Sequence, residues 1–208
     1  MKIAGVVLAG GQSQRMGEDK ANLIIDQNSL LTRAVNLLQE AGLSDCYVSG
    51  DYPEFNCIQD QHCNLGPIAG IAACASFLNE QYDAMLIIPV DMPLLAVQDC
   101  THLLNCYKAT NNAAGLYYQA AIFPILLALT EPLTDYLSNV VNSQHKKSRS
   151  LFRLFESLDM QGVPLTTANQ YRFKNTNTPT QFQDCLATFN TLQQQAINYD
   201  LKKTKKED

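Results

Sequence analysis

Charge is scarce in this sequence. Only 17% of its 208 residues are charged, and the basic ones are the minority, 15 against 20, for a net charge of -5. That balance argues against a nucleic-acid groove or an anionic membrane as partner, so any nucleotide it binds is expected to be a small molecule. Long apolar runs are missing as well: no stretch approaches the ~20 residues of a membrane span. The first one, Ile3-Ala4-Gly5-Val6-Val7-Leu8, is too short for a signal peptide and ends in glycines, so a cytoplasmic protein is expected. Two glycine fingerprints are also absent. There is no GxGxxG, and Gly11-x5-Gly17-x2-Lys20 is not the GxxxxGK[ST] loop, because no Ser or Thr follows the lysine to hold magnesium. The seven cysteines form no CxxC. Cys57-x5-Cys63 and Cys100-x5-Cys106 are poor zinc spacings even with His62 and His102 beside them, and idle thiols in a reducing compartment are the simpler reading.

What remains is an ordinary globular composition, 46% hydrophobic, on a chain long enough to bury a core. One domain over residues 1–200 is expected, followed by a flexible charged tail at 201–208. The apolar opening run reads as a strand buried on both faces of a parallel sheet. It empties into Ala9-Gly10-Gly11-Gln12-Ser13-Gln14-Arg15-Met16-Gly17-Glu18-Asp19-Lys20. Paired glycines let successive N–H groups point at a phosphate chain, and Arg15 and Lys20 add the positive charge a triphosphate needs.

Further along, Ser29 is a candidate N-cap for a helix through about Ala41, stopped by Gly42. Cys46-Tyr47-Val48 reads as the second main strand, with Ser49-Gly50-Asp51 as its loop, and a weaker strand leads through Cys57-Ile58 to Asp60. Gly66-Pro67 opens a helix through roughly Leu78 whose small residues allow close approach to a sheet or ligand. Ala84-Met85-Leu86-Ile87-Ile88 is the clearest buried strand, and it runs into Pro89-Val90-Asp91-Met92-Pro93. A carboxylate at the carboxyl end of a parallel strand sits where open α/β sheets bind ligands. A magnesium ion with a nucleotide phosphate would partner it, although an N-cap role is the plainer alternative.

Residues 96–110 suit a helix, and residues 113–118 and 120–123 suit a strand pair. Residues 133–141 are helical again, the basic stretch 144–149 is an exposed loop, and residues 150–158 form a short helix with Leu151, Phe152, Leu154 and Phe155 inward. Asn175-Thr176-Asn177 offers neutral donors and acceptors, and Thr178-Pro179 opens a last helix through about Ile197.

Leu8-Ala9-Gly10-Gly11, Arg15-Met16-Gly17 and Lys20 match, position by position, the LAGG-x(3)-RMG-x(2)-K signature of the nucleotidyltransferases that include molybdenum cofactor guanylyltransferase. Gly66-Pro67-Ile68-Ala69-Gly70 resembles that family's GPLAG segment, Pro89 to Pro93 its PxDxP motif, and Asn175 to Pro179 its N-x-N-T-P element, all in family order. The resemblance implies a Rossmann-like three-layer αβα domain with a mostly parallel sheet. It implies transfer of GMP from GTP to molybdenum-loaded molybdopterin, with release of pyrophosphate and with Mg²⁺ as cofactor. Molybdoenzymes or other cofactor-biosynthesis proteins are possible further partners. Arg15, Lys20 and Asp91 would be catalytic, with Asp91 holding the metal. Leu8, Ala9, Gly10, Gly11, Lys20, Ser49, Asp60, Gly66, Pro67 and Asp91 would surround the nucleotide, although Ser49 stands where relatives often carry Asn. Asn175 and Asn177 would hold the second substrate. Three rivals stand beside this reading: a related transferase using CTP or a sugar or isoprenoid phosphate, a non-catalytic nucleotide carrier, and a dinucleotide-binding oxidoreductase.

Overall fold

A computed structural model describes residues 1–10, 19–60, 65–110 and 113–204. In chain order the strands are β1 (Ile3–Leu8), β2 (Ile24–Ile25), β3 (Asn28–Ser29), β4 (Cys46–Ser49), β5 (Cys57–Ile58), β6 (Ala84–Pro89), β7 (Gly115–Tyr118), β8 (Ile125–Ala128) and β9 (Gln161–Val163). The α-helices are α1 (Leu30–Glu40), α2 (Pro67–Leu78), α3 (Val97–Ala109), α4 (Glu131–Val141), α5 (Leu151–Ser157) and α6 (Pro179–Thr204). Seven strands make one sheet in the order β5-β4-β1-β6-β8-β7-β9, and β8 alone runs against its neighbours. Helices α1 and α3 pack together, as do α2 and α4, giving the three layers and mostly parallel sheet expected from the sequence.

The two middle strands explain the architecture. Ala4, Val6 and Val7 of β1, and Ala84, Met85, Leu86 and Ile87 of β6, have no exposed surface. A strand with apolar side chains on both faces is stable only when helices cover both. The parallel register pairs Leu8 with Pro89 and with Ser49, so β1, β4 and β6 end at one level and their following loops share one rim.

Local signals account for the element boundaries. Ser29 Oγ accepts from Thr32 N at 3.0 Å and starts α1, and Gly42, at φ 94°, ends it. Asp26 and Gln27 both take positive φ, which lets a two-residue turn join β2 to β3. Thr178 and Gln181 begin α6, with Thr178 Oγ1 accepting from Gln181 N and Gln181 Oε1 accepting from Asn177 N.

Four expectations need correcting. Residues 120–123 are not a strand: a turn after β7 leads through them, and the second strand of the pair begins after Pro124, at Ile125. Proline lacks the N–H a ladder needs, and the fully buried Ile125, Leu126 and Leu127 fit between β6 and β7 instead. Phe152 points outward and is 56% exposed, because it lies beside the inward Leu151 and not on its face. Residues 146–149 of the basic stretch form a short 3₁₀ turn instead of an open loop. The last helix continues past Ile197 to Thr204, into the stretch expected as a tail. Near its middle α6 is tied to the body by Arg33, whose guanidinium lies 4.7 Å from the Phe189 ring, and by Gln193, which donates to Asp26 at 3.0 Å.

Candidate active site

Three motif residues from distant parts of the chain meet on the rim. Lys20 lies in a 3₁₀ turn (Lys20–Asn22) capped by Asp19, whose Oδ1 accepts from Ala21 N at 3.0 Å. Its Nζ donates to Asn177 Oδ1 at 2.6 Å and reaches Asp91 Oδ2 at 3.4 Å. Both members of the ion pair are largely enclosed, Lys20 with 15% and Asp91 with 21% of its side chain exposed. Burial raises the Asp91 pKa above the ordinary carboxylate range, while the charge and hydrogen bond of Lys20 pull it back in part. Asp91 does not cap a helix, since α3 begins only at Val97, and Asp99 accepts from Ala96 N there.

Thr176 supplies the link that sequence reasoning passed over. It is 2% exposed, and its N–H and hydroxyl both donate to Asp91 O, at 2.8 and 3.3 Å. The alternation of the Asn-Thr-Asn segment carries the signal: Thr176 turns inward while its neighbours turn out. Asn177 therefore faces Lys20, while Asn175 is exposed. In this arrangement the Asn177 carboxamide oxygen accepts from the lysine.

The glycine end of β1 is tied to the strands on both sides of it. Ala9 N and Gly10 N both donate to Ser49 O, at 3.0 and 2.8 Å, and Leu8 O accepts from Val90 N at 3.0 Å. The Gly10 amide thus ties the ends of β1 and β4 together. Ser49 O takes two donors, while Leu8 O, with Val90 N on it, has a second lone pair with which to accept from a base that presents N–H groups. Gly11 and Arg15 lie outside the described residues. The Ser49 side chain is 2% exposed and faces α2, where a Cβ on Gly70 would meet Ser49 Oγ at 2.5 Å. Glycine at position 70 permits that close approach of α2 to the sheet.

Gly66 and Pro67 are exposed at the start of α2, Gly66 with a φ of 74° that favours glycine. Asp60 is exposed beyond β5, and its charge adds to the burial that pushes the Cys74 thiol up to about 12, against a hydrogen bond from Ser49 that lowers it. Two grooves lined by described residues lie away from the Lys20 cluster. One of about 790 Å³ lies between α2 and α4, and one of about 440 Å³ lies between α1 and α3, lined by Val90 and Met92 on either side of Asp91 in sequence.

Among the described residues no three His, Cys, Asp or Glu side chains converge on a metal position. A lone carboxylate suits a magnesium ion, which keeps several waters and takes its other ligands from substrate phosphates, better than an all-protein cage. His102 and Cys106 come within 3.7 Å of each other, but Cys100 is fully buried away from solvent.

A mostly parallel sheet with a lysine and a carboxylate facing one another at its carboxyl rim fits a nucleotide-handling α/β enzyme. Residues 5–161 match the model of the MobA-like NTP transferase domain, and the chain belongs to that family of nucleotidyltransferases. It is 37% identical over 180 residues to the molybdenum cofactor guanylyltransferase of Xanthomonas euvesicatoria, covering 86% of this chain and 91% of that one. A probable molybdenum cofactor guanylyltransferase of Opitutus terrae is 30% identical over 192 residues, covering 85% and 91%. Among solved structures, molybdopterin-guanine dinucleotide biosynthesis protein A of Archaeoglobus fulgidus superposes with a TM-score of 0.69 at 20% identity, covering 90% of this chain and 99% of that one. At that identity the superposition speaks for the fold.

Proposed function

We propose that this chain transfers GMP from GTP to molybdenum-loaded molybdopterin, forming molybdopterin guanine dinucleotide and pyrophosphate. Family membership supports the transferase chemistry, and the relatives' names support the substrates. The observation that carries the reading is Lys20 Nζ, enclosed between Asp91 and Asn177 at the carboxyl rim of the sheet.

In this reaction a phosphate oxygen of the pterin forms a bond to the α-phosphorus, and the bond from that phosphorus to the bridging oxygen of pyrophosphate breaks. Two polyanions must be brought together, so catalysis consists largely of positioning and charge stabilisation. Lys20 offsets charge developing on the departing pyrophosphate, and Asn177 and Asp91 fix where its ammonium group points. Mg²⁺ held by Asp91 would neutralise the nucleotide phosphates and bridge them to the protein. The carbonyls of Leu8 and Ala9, with Asp60 across the rim, offer the acceptors that guanine N1–H and N2–H₂ need. A cytoplasmic location goes with such substrates, and among the described residues no helix is long and apolar enough to cross a membrane.

The test is pyrophosphate release in the presence of Mg²⁺ and molybdenum-loaded molybdopterin, with GTP, CTP, ATP and UTP compared. Release with GTP alone is expected. Release with CTP alone would move the protein to a sister activity, and GTP binding without release would make it a carrier.

A further inference from the structure

Tyr52 belongs to none of the motifs that mark the rim, yet it grips the chain on both sides of the glycine-rich segment. Its hydroxyl lies 2.8 Å from Asp19 Oδ2 and 3.3 Å from Ala9 O. A phenol has one proton to give. The shorter, charge-assisted contact to Asp19 takes it, and Ala9 O receives the weaker arm of a three-centre bond. The backbone of Tyr52 is itself fixed, because Cys57 Sγ donates to Tyr52 O at 3.0 Å and Tyr52 N approaches the same sulfur at 3.2 Å. Gly50 makes room for the ring: a Cβ there would meet it at 2.7 Å.

The far end of this contact is the lysine turn. While Oδ2 of Asp19 receives the phenol, Oδ1 accepts from Ala21 N and caps the turn that begins with Lys20. Asp19 is otherwise exposed, and a lone exposed carboxylate would be free to leave its cap for water. Burial and the neighbouring carboxylate push the Tyr52 phenol well above its ordinary value, so its proton stays in place at working pH.

We infer that Tyr52 is a positioning residue: through Asp19 it holds the Lys20 turn in the orientation that presents Nζ to the transferred nucleotide's phosphates. What Lys20 does there rests on the guanylyl-transfer reading, whereas the hold on the turn does not.

The test uses Tyr52→Phe, with Tyr82→Phe as control. Tyr82 has a comparable hydroxyl, bonded to Asp45 and Tyr47 at the amino end of the sheet. Tyr52→Phe is expected to lower kcat/KM for GTP about tenfold, the scale of one hydrogen bond to a charged group, and to leave the KM for the pterin substrate unmoved. In a Lys20→Met background the same change is expected to cost nothing further. In the ligand-free protein it should speed hydrogen exchange at the Ala21, Asn22 and Leu23 amides. Tyr82→Phe should do none of these. Unchanged exchange and turnover in Tyr52→Phe, or an equal loss in the Lys20→Met background, would overturn the inference. If the wild type transfers nothing from GTP, the functional reading fails, and the exchange measurement still decides the role of Tyr52.

Discussion

Lys20 Nζ donates to Asn177 Oδ1 at 2.6 Å across 157 positions of sequence. That bond joins the opening loop to the last motif of the chain and fixes the lysine ahead of any substrate. Preorganised charge of this kind is worth most in a site from which water is largely excluded.

Replacing Lys20 with Met is therefore expected to lower kcat/KM by about 10²–10³. Asn177→Ala leaves the ammonium in place but takes away its shortest acceptor, and about tenfold to hundredfold is expected. Steady-state kinetics on both variants, against GTP and the pterin in turn, checks the order. A larger loss in Asn177→Ala than in Lys20→Met would show that the asparagine acts on substrate directly.

Asp91 carries a conflict between function and stability. Its pKa is raised in the fold, so the stability this group contributes is greatest in acid, below the unfolded carboxylate value, and is lost as pH rises through the folded value. Asp91→Asn lacks that dependence. In the ligand-free protein the variant should melt at or above the wild-type temperature near pH 8, with its advantage shrinking as the pH falls, while turnover drops by about 10²–10³. Thermal melts across pH, run beside activity, measure both. A variant that is less stable at high pH than at low pH, relative to wild type, would contradict the assignment.

If Asp91 holds Mg²⁺ through one carboxylate and the substrate phosphates, the ion should bind weakly without nucleotide. Transfer should stop in chelator and return with added Mg²⁺, and Asp91→Asn should shift the half-saturating concentration upward. Titration of Mg²⁺ with GTP present and absent tests this, and full turnover in chelator would remove the metal from the scheme.

Ser49 and Gly70 make a packing pair. Gly70→Ala places a methyl 2.5 Å from Ser49 Oγ, inside a buried contact also bounded by Leu8. The expected cost is about 1–2 kcal/mol. In a Ser49→Ala background the same change should be near neutral, because the clash is gone and alanine favours the helix. Ser49→Ala alone should leave the KM for GTP within about twofold, a change worth less than one ordinary hydrogen bond. A tenfold rise would place Ser49 at the base site.

The sequence showed the parallel strands and most helices, because they rest on strong local patterns of apolar runs ended by glycine or proline, and it marked Lys20, Asp91 and Asn177 in separate motifs without showing that they meet. It did not show which way backbone donors point. Whether the Gly10 amide meets phosphate or Ser49 O depends on the register between β1 and β4, a pairing of segments about forty residues apart. The same holds for Thr176 and Tyr52, whose partners lie on other elements. Residues 120–123 misled for a different reason: they are as apolar as a strand, but Pro124 and the place waiting between β6 and β7 moved the strand downstream.

The ribosome delivers Lys20 and Asp91 well before Asn177, which lies beyond the last strand and enters only with the start of α6. A nascent chain can thus pair all seven strands of its sheet while its lysine still lacks Asn177. Competence waits on the segment that follows β9, which also brings Phe173 and Phe182 to the core.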